Sequence, residues 1–144
     1  MFKRILVPLE HSPTDEAILV YVRALASACR ASLVLIHVAD GWVARNIQQL
    51  DLRESEEMKE DFGYLDRLCS ELQSEGFKAE AVLAAGDPAR EIAATADREG
   101  CDLIAMATHG HRLLADVVKG SVASELRHIT GVPVLMVRAG KTKT

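Results

Sequence analysis

Apolar residues along the chain follow two alternating rhythms: short continuous runs of strand length, and stretches where they recur every three or four positions. Residues 3 to 9 form an almost unbroken apolar run, the pattern of a strand covered on both faces. Ser12 then predicts a helix N-cap, with Pro13 at the first helical position and Asp15 at the capping-box position. The buried stripe of that helix reads Ile18, Val22, Leu25 and Cys29. Ser32 to Val38 reads as a second strand. A long helix follows, with Met58, Phe62, Leu65, Cys69 and Leu72 on one face and many charges on the other, until Gly76 stops it. Ala79 to Ala84 makes a third, weaker strand. Asp87 and Pro88 start a helix that faces Ala89, Ile92, Ala93 and Ala96 inward and ends at Gly100. The fourth strand runs from Asp102 to Ala107. A last helix begins at Ser121, buries Val122, Leu126 and Ile129, and stops before Gly131. Val134 to Arg138 is the fifth strand, and residues 140 to 144 read as a frayed tail.

Strict alternation of strands and helices predicts an α/β fold: a parallel sheet with right-handed crossovers and helices on both faces. No linker, repeat or low-complexity tract divides the chain, so residues 1 to 144 read as one domain. Residues 40 to 54 break the rhythm. There Trp42, Val43, Ile47 and Leu50 suggest a short helix or a flap near the end of the second strand. Trp42 reads either as cover for core or partner surface, the usual use of a large aromatic, or as a ligand lid.

Composition narrows the function. A hydrophobic share of 49% and a charged share of 26% describe an ordinary globular balance. A formal charge of −4 argues against broad binding to nucleic acid or anionic membranes, which needs a basic field. No apolar stretch approaches the ~18 residues of a membrane span, and no signal-peptide core follows Met1. A cytoplasmic location is expected. The three cysteines, Cys29, Cys69 and Cys101, show neither disulfide-framework nor zinc spacing. Cys29 and Cys69 fall on apolar helix faces as small hydrophobes.

The richest chemistry lies between residues 102 and 121. A strand ends in small residues, a loop carries His109, His111, Arg112 and Lys119 against the single carboxylate Asp116, and Gly120 precedes Ser121 at a helix start. Free backbone N–H groups and a helix N-terminus beside a strand's carboxyl end suit an anion such as phosphate. The same glycines would also serve a plain turn with positive φ. His109 and His111 have no third ligand at metal spacing and read as polar loop residues. No Walker A loop, nucleophile elbow, metalloprotease helix or dinucleotide fingerprint is present.

Ala107-Thr108-His109-Gly110, nine residues, then Gly120-Ser121 resembles the G-x2-G-x9-G-[ST] signature of the universal stress proteins, with Ala107 replacing the first glycine. Ile5 to Pro8 followed by Glu10 and Ser12 resembles that family's opening strand and loop. Leu35 to Val38, Gly86-Asp87-Pro88 and Pro133 to Arg138 resemble its later elements, so the likeness covers nearly the whole chain. The resemblance implies a five-stranded sheet of order 3-2-1-4-5, with a ligand crevice between the ends of strands one and four. It implies an adenine nucleotide there, ATP or AMP, with Mg2+ where phosphates call for it. The residues it implicates are Pro8, Leu9, Glu10, Ser12, Val38, Gly86, Ala107, His109, Gly110, Gly120, Ser121 and Val122. Glu10, where Asp is usual, would meet the ribose hydroxyls; the backbone of Val38 would meet the adenine edge; Gly86, Gly110, Gly120 and Ser121 would approach the phosphates.

In that order the fifth strand lies at the sheet edge. Val134, Leu135, Met136 and Val137 make it a smooth apolar edge guarded only at its ends by Pro133 and Arg138, which implies a partner. An antiparallel homodimer across a two-fold axis is the simplest, and it agrees with the dimers known in the family. Three readings remain open from the sequence: a nucleotide-binding regulatory module with a protein partner of unknown identity, a nucleotide-free dimerising scaffold, and a weak nucleotide hydrolase. Ala107 and Glu10 favour the second, and the missing catalytic base speaks against the third.

Overall fold

A computed structural model describes residues 1–40, 52–109 and 122–139. Its elements are β1 (Arg4–Pro8), α1 (Thr14–Cys29), β2 (Ser32–Asp40), α2 (Leu52–Ser74), β3 (Ala79–Gly86), α3 (Pro88–Glu99), β4 (Leu103–His109), α4 (Val122–Ile129) and β5 (Val134–Ala139). The five strands pair in parallel in the order β3-β2-β1-β4-β5, as the resemblance implies.

Alternation of side chains along each strand builds two cores. On one face Ile5, Val7, Leu33, Leu35, Leu103 and Ala105 meet Ile18, Leu19 and Val22 of α1 and Leu65, Cys69 and Leu72 of α2. On the other, Leu6, Val34, Ile36, Ile104 and Met106 meet Ile92, Ala93 and Ala96 of α3 and Ala123 and Leu126 of α4. Burial on both faces explains why β1, β2 and β4 read as continuous apolar runs.

Several boundaries and faces differ from expectation. β2, β3 and β4 run two residues further than the apolar runs, because Asp40, Gly86 and His109 still pair with a neighbouring strand. The turn expected after Ala107 therefore starts later. Ser12 does not cap α1: Pro13 occupies the cap with helical dihedrals and no side-chain bond, while the Ser12 hydroxyl meets that of Thr14 at 2.8 Å. Asp15 does the capping from inside the first turn. Phe62 and Ile129, expected to be buried, are each 46% exposed at the flank of their helical stripes. Leu25 and Cys29 are only partly buried; Leu19 and Ala26 fill that face instead. Trp42, His111, Gly110, Gly120, Ser121 and the tail lie outside the described residues.

Candidate functional site

A missing hydrogen-bond donor opens the site. The Leu9 N–H donates to the Ile36 carbonyl at 2.8 Å, so Leu9 faces β2 and its neighbour Pro8 faces β4. Proline has no N–H to give, and the β1–β4 register ends at Leu6–Ile104. The flanking strands continue, β2 to Asp40 beside β3 and β4 to His109 beside β5. A gap follows, bounded on either side by strand backbone. The Ile36 carbonyl is turned towards β1, so Val38, two residues on, directs its N–H and C=O into the gap. On the far side Ile104 donates to Pro133 and thus faces β5 (2.9 Å), so Ala107, of opposite parity, presents its peptide groups to the gap.

The resulting cleft, about 210 Å³, is walled by apolar side chains of Ile36, Val38, Ile92 and Met106, with Pro8, Leu9, Glu10 and Ala107 at the strand ends. Three helices begin at it: α1 through Thr14 and Asp15, α3 through Pro88, and α4 through Val122. Helix N-termini carry partial positive charge, so the cleft gathers three such ends beside one apolar slot.

Of the sequence-derived candidates, Pro8, Leu9, Glu10, Val38, Ala107 and Val122 line this cleft. Ser12 and Gly86 stand outside its wall. Gly86 closes β3 at φ +135°, where a Cβ would come within 3.1 Å of the Glu91 carboxylate, so backbone geometry alone demands glycine. His109 ends β4, paired with Ala139. Ala107 lies within the β4–β5 ladder opposite Val137 and has no positive φ, so its replacement of glycine strains nothing. Its methyl bears only on the room available to a ligand.

The β1–α1 loop is held by Asp15, expected from the capping box, together with side chains that the sequence did not single out. The Asp15 carboxylate, 2% exposed, accepts the N–H groups of Glu10 and His11 at 2.9 Å each and the Tyr64 hydroxyl at 2.5 Å. Burial, then that bond, pushes the Tyr64 phenol well above its usual range. His11 adopts a left-handed φ of 62° and stacks on Tyr64 with ring centroids 4.0 Å apart. Its Nδ1 donates to Asp61 Oδ1 at 2.8 Å. Asp61 Oδ2 lies 3.4 Å from Nε2 of His37, a residue of the cleft wall whose Nδ1 donates to the Leu9 carbonyl at 2.9 Å. His11 and Asp61 lie 50 residues apart in sequence, Asp15 and Tyr64 49, and Leu9 and His37 28, so no local pattern announces them. Among the described residues no group of three or more His, Cys, Asp or Glu could hold a metal ion. No helix among them is long and apolar enough to cross a membrane.

Comparison with known proteins agrees with this architecture. The chain is 28% identical over 158 residues to the universal stress protein MJ0577 of Methanocaldococcus jannaschii, with 96% of each chain aligned. The solved structure of MJ0577 matches with a TM-score of 0.84 at 29% identity over 99% of both chains. A universal stress protein solved in complex with cAMP matches at 0.72 with 17% identity, over 96% of this chain and 98% of that one. Another, from Archaeoglobus fulgidus in complex with dAMP, matches at 0.67 with 20% identity, over 94% and 97%. The last two share the fold. The model of the universal stress protein family itself matches residues 1–138, nearly the entire sequence, and the chain belongs to that family.

Proposed function

We propose that the cleft beyond Pro8 binds an adenine nucleotide, ATP or AMP, and that the protein works as a cytoplasmic, homodimeric stress-response module whose bound state is read by a protein partner. The observation that carries this reading is the convergence of three helix N-termini on an apolar slot edged by the backbone of Val38 and Ala107. The slot takes a flat base, the Val38 amide and carbonyl meet its polar edge, and the Glu10 carboxylate accepts a ribose hydroxyl. At about 210 Å³ the cleft is smaller than the ~300 Å³ at which small-molecule sites usually begin, so the phosphates lie across its mouth, towards the helix ends. Magnesium, where it accompanies ATP, rests mainly on the phosphates, in keeping with its usual mode of binding. The cAMP and dAMP complexes of relatives sharing the fold support an adenine ligand. Guanine is disfavoured because its extra amino group would be buried against Ile36, Ile92 or Met106 without a partner.

Dimerisation would use the outer edge of β5. Pro133 and Leu135 face β4, so Met136, 40% exposed, turns its N–H outward. Denaturing the purified protein and identifying any released ligand by chromatography, followed by calorimetric titration with AMP, ATP and GTP, tests the proposal. Adenine nucleotides should bind and GTP should bind more weakly. Equal or tighter GTP binding, or no binding of any nucleotide at millimolar concentration, would overturn it.

A further inference from the structure

We infer that α2 sets the position of Glu10 through a latch made of His11, Asp61 and Tyr64, which are positioning residues for the nucleotide's ribose; the inference rests on the nucleotide-binding reading above. Glu10 lines the cleft, and the residues on both sides of it are held by ring nitrogens, His11 through its own and Leu9 through that of His37. Asp61 accepts from the His11 ring directly and lies beside His37, which in turn holds the Leu9 carbonyl. The amides of Glu10 and His11 are fixed by Asp15, and Tyr64 of α2 supplies that carboxylate's one side-chain donor. Capping α1 needs Asp15 alone. The additional contacts of Asp61 and Tyr64 come from α2, and they converge on the one non-glycine residue of this loop with a left-handed backbone. Such a conformation is strained for a residue with a Cβ and persists where surrounding groups over-determine it, which happens chiefly at working sites. Stacking on Tyr64 and the bond to Asp61 supply that determination for His11.

A latch acting through Glu10 has a signature that general damage lacks, because it affects only ligands with ribose hydroxyls. Calorimetric affinities for AMP and for 2′,3′-dideoxy-AMP should be compared in the wild type, Asp61→Ala, Asp61→Asn and Tyr64→Phe. The ratio of the two affinities is independent of the fraction of folded protein. The wild type should favour AMP by about tenfold, the worth of one charge-assisted hydrogen bond. Asp61→Ala should bring the ratio close to one, with dideoxy-AMP affinity changed by less than about threefold. Tyr64→Phe, which keeps the stack but loses the hydroxyl, should fall between. Asp61→Asn keeps an oxygen for His11 and should recover most of the preference. A wild type that binds AMP, paired with an Asp61→Ala variant that retains full preference or loses both ligands equally, overturns the latch alone. A wild type that binds neither nucleotide overturns the nucleotide reading and the latch with it.

Discussion

Replacing Asp15 with alanine should destabilise the protein by about 2–4 kcal/mol. The carboxylate is 2% exposed and accepts three short hydrogen bonds, two from the backbone of Glu10 and His11 and one from Tyr64, besides a longer one from the Ser12 N–H at 3.4 Å. Hydrogen bonds to a charged group contribute roughly 1.5–3 kcal/mol each, so the three together stabilise by about 4.5–9 kcal/mol. Against this stands the cost of burying the carboxylate, several kcal/mol, which the variant no longer bears. Water also reaches the freed loop amides, since that loop is only partly buried. The phenol of Tyr64 is released as well, so Tyr64→Phe alone should cost about 1.5–3 kcal/mol and the double variant less than the sum. Urea unfolding followed by circular dichroism gives the quantity directly, provided the slope with denaturant is unchanged. A loss below about 1 kcal/mol at constant slope, or strict additivity with Tyr64→Phe, would show that Asp15 does not anchor this loop.

Alkaline pH should destabilise the fold. Burial pushes the Cys101 thiol up to about 11 and, with Asp15, raises the Tyr64 phenol. Both groups titrate above their unfolded values: the Cys101 share, about 2–3 kcal/mol, is fully present below about pH 9 and lost as pH rises through 11, whereas the Tyr64 share is lost only at higher pH. Urea midpoints that stay flat from pH 8 to 11, or fall just as steeply in Cys101→Ala, would contradict this. Ala107→Gly should leave nucleotide affinity equal or higher by calorimetry while costing about 0.5–1 kcal/mol of stability, as glycine within a strand does; a large loss of affinity would mean that the methyl is part of the site. Met136→Pro should split the dimer, because it removes an outward N–H, whereas Leu135→Pro should break the β4–β5 ladder and unfold the edge. Light scattering that shows a wild-type monomer, or an intact dimer in Met136→Pro, would refute the β5 interface.

Much of the architecture was legible because residues such as Ile5, Leu33 and Ile104 are buried on two-sided strands, which leave continuous apolar runs. Strand ends were less so: Thr108 and His109 are polar yet remain in the ladder, since pairing there is carried by backbone atoms. Periodicity placed Phe62 and Ile129 on an inner face, but it resolves a helical stripe only to about one residue width, and both fall on the exposed margin. Ser12 and Asp15 were each read as parts of one capping box, although only the reach-back half formed. Pro8, Glu10, Val38 and Ala107 could be nominated from local motifs and do meet at the cleft. His37, Asp61 and Tyr64 could not, because their roles depend on α2 crossing above the β1–α1 loop.

Pro8 makes the cleft by subtraction, and that separates where a ligand binds from what binds. The opening follows from the absent N–H of Pro8 and from the greater length of the strands on either side, and owes nothing to the other side chains that line it. Replacements at Glu10 or Ala107 would therefore change what the cleft offers a ligand without moving it. A gap in the hydrogen-bond ladder could take one ligand in place of another, or none, and keep the same address.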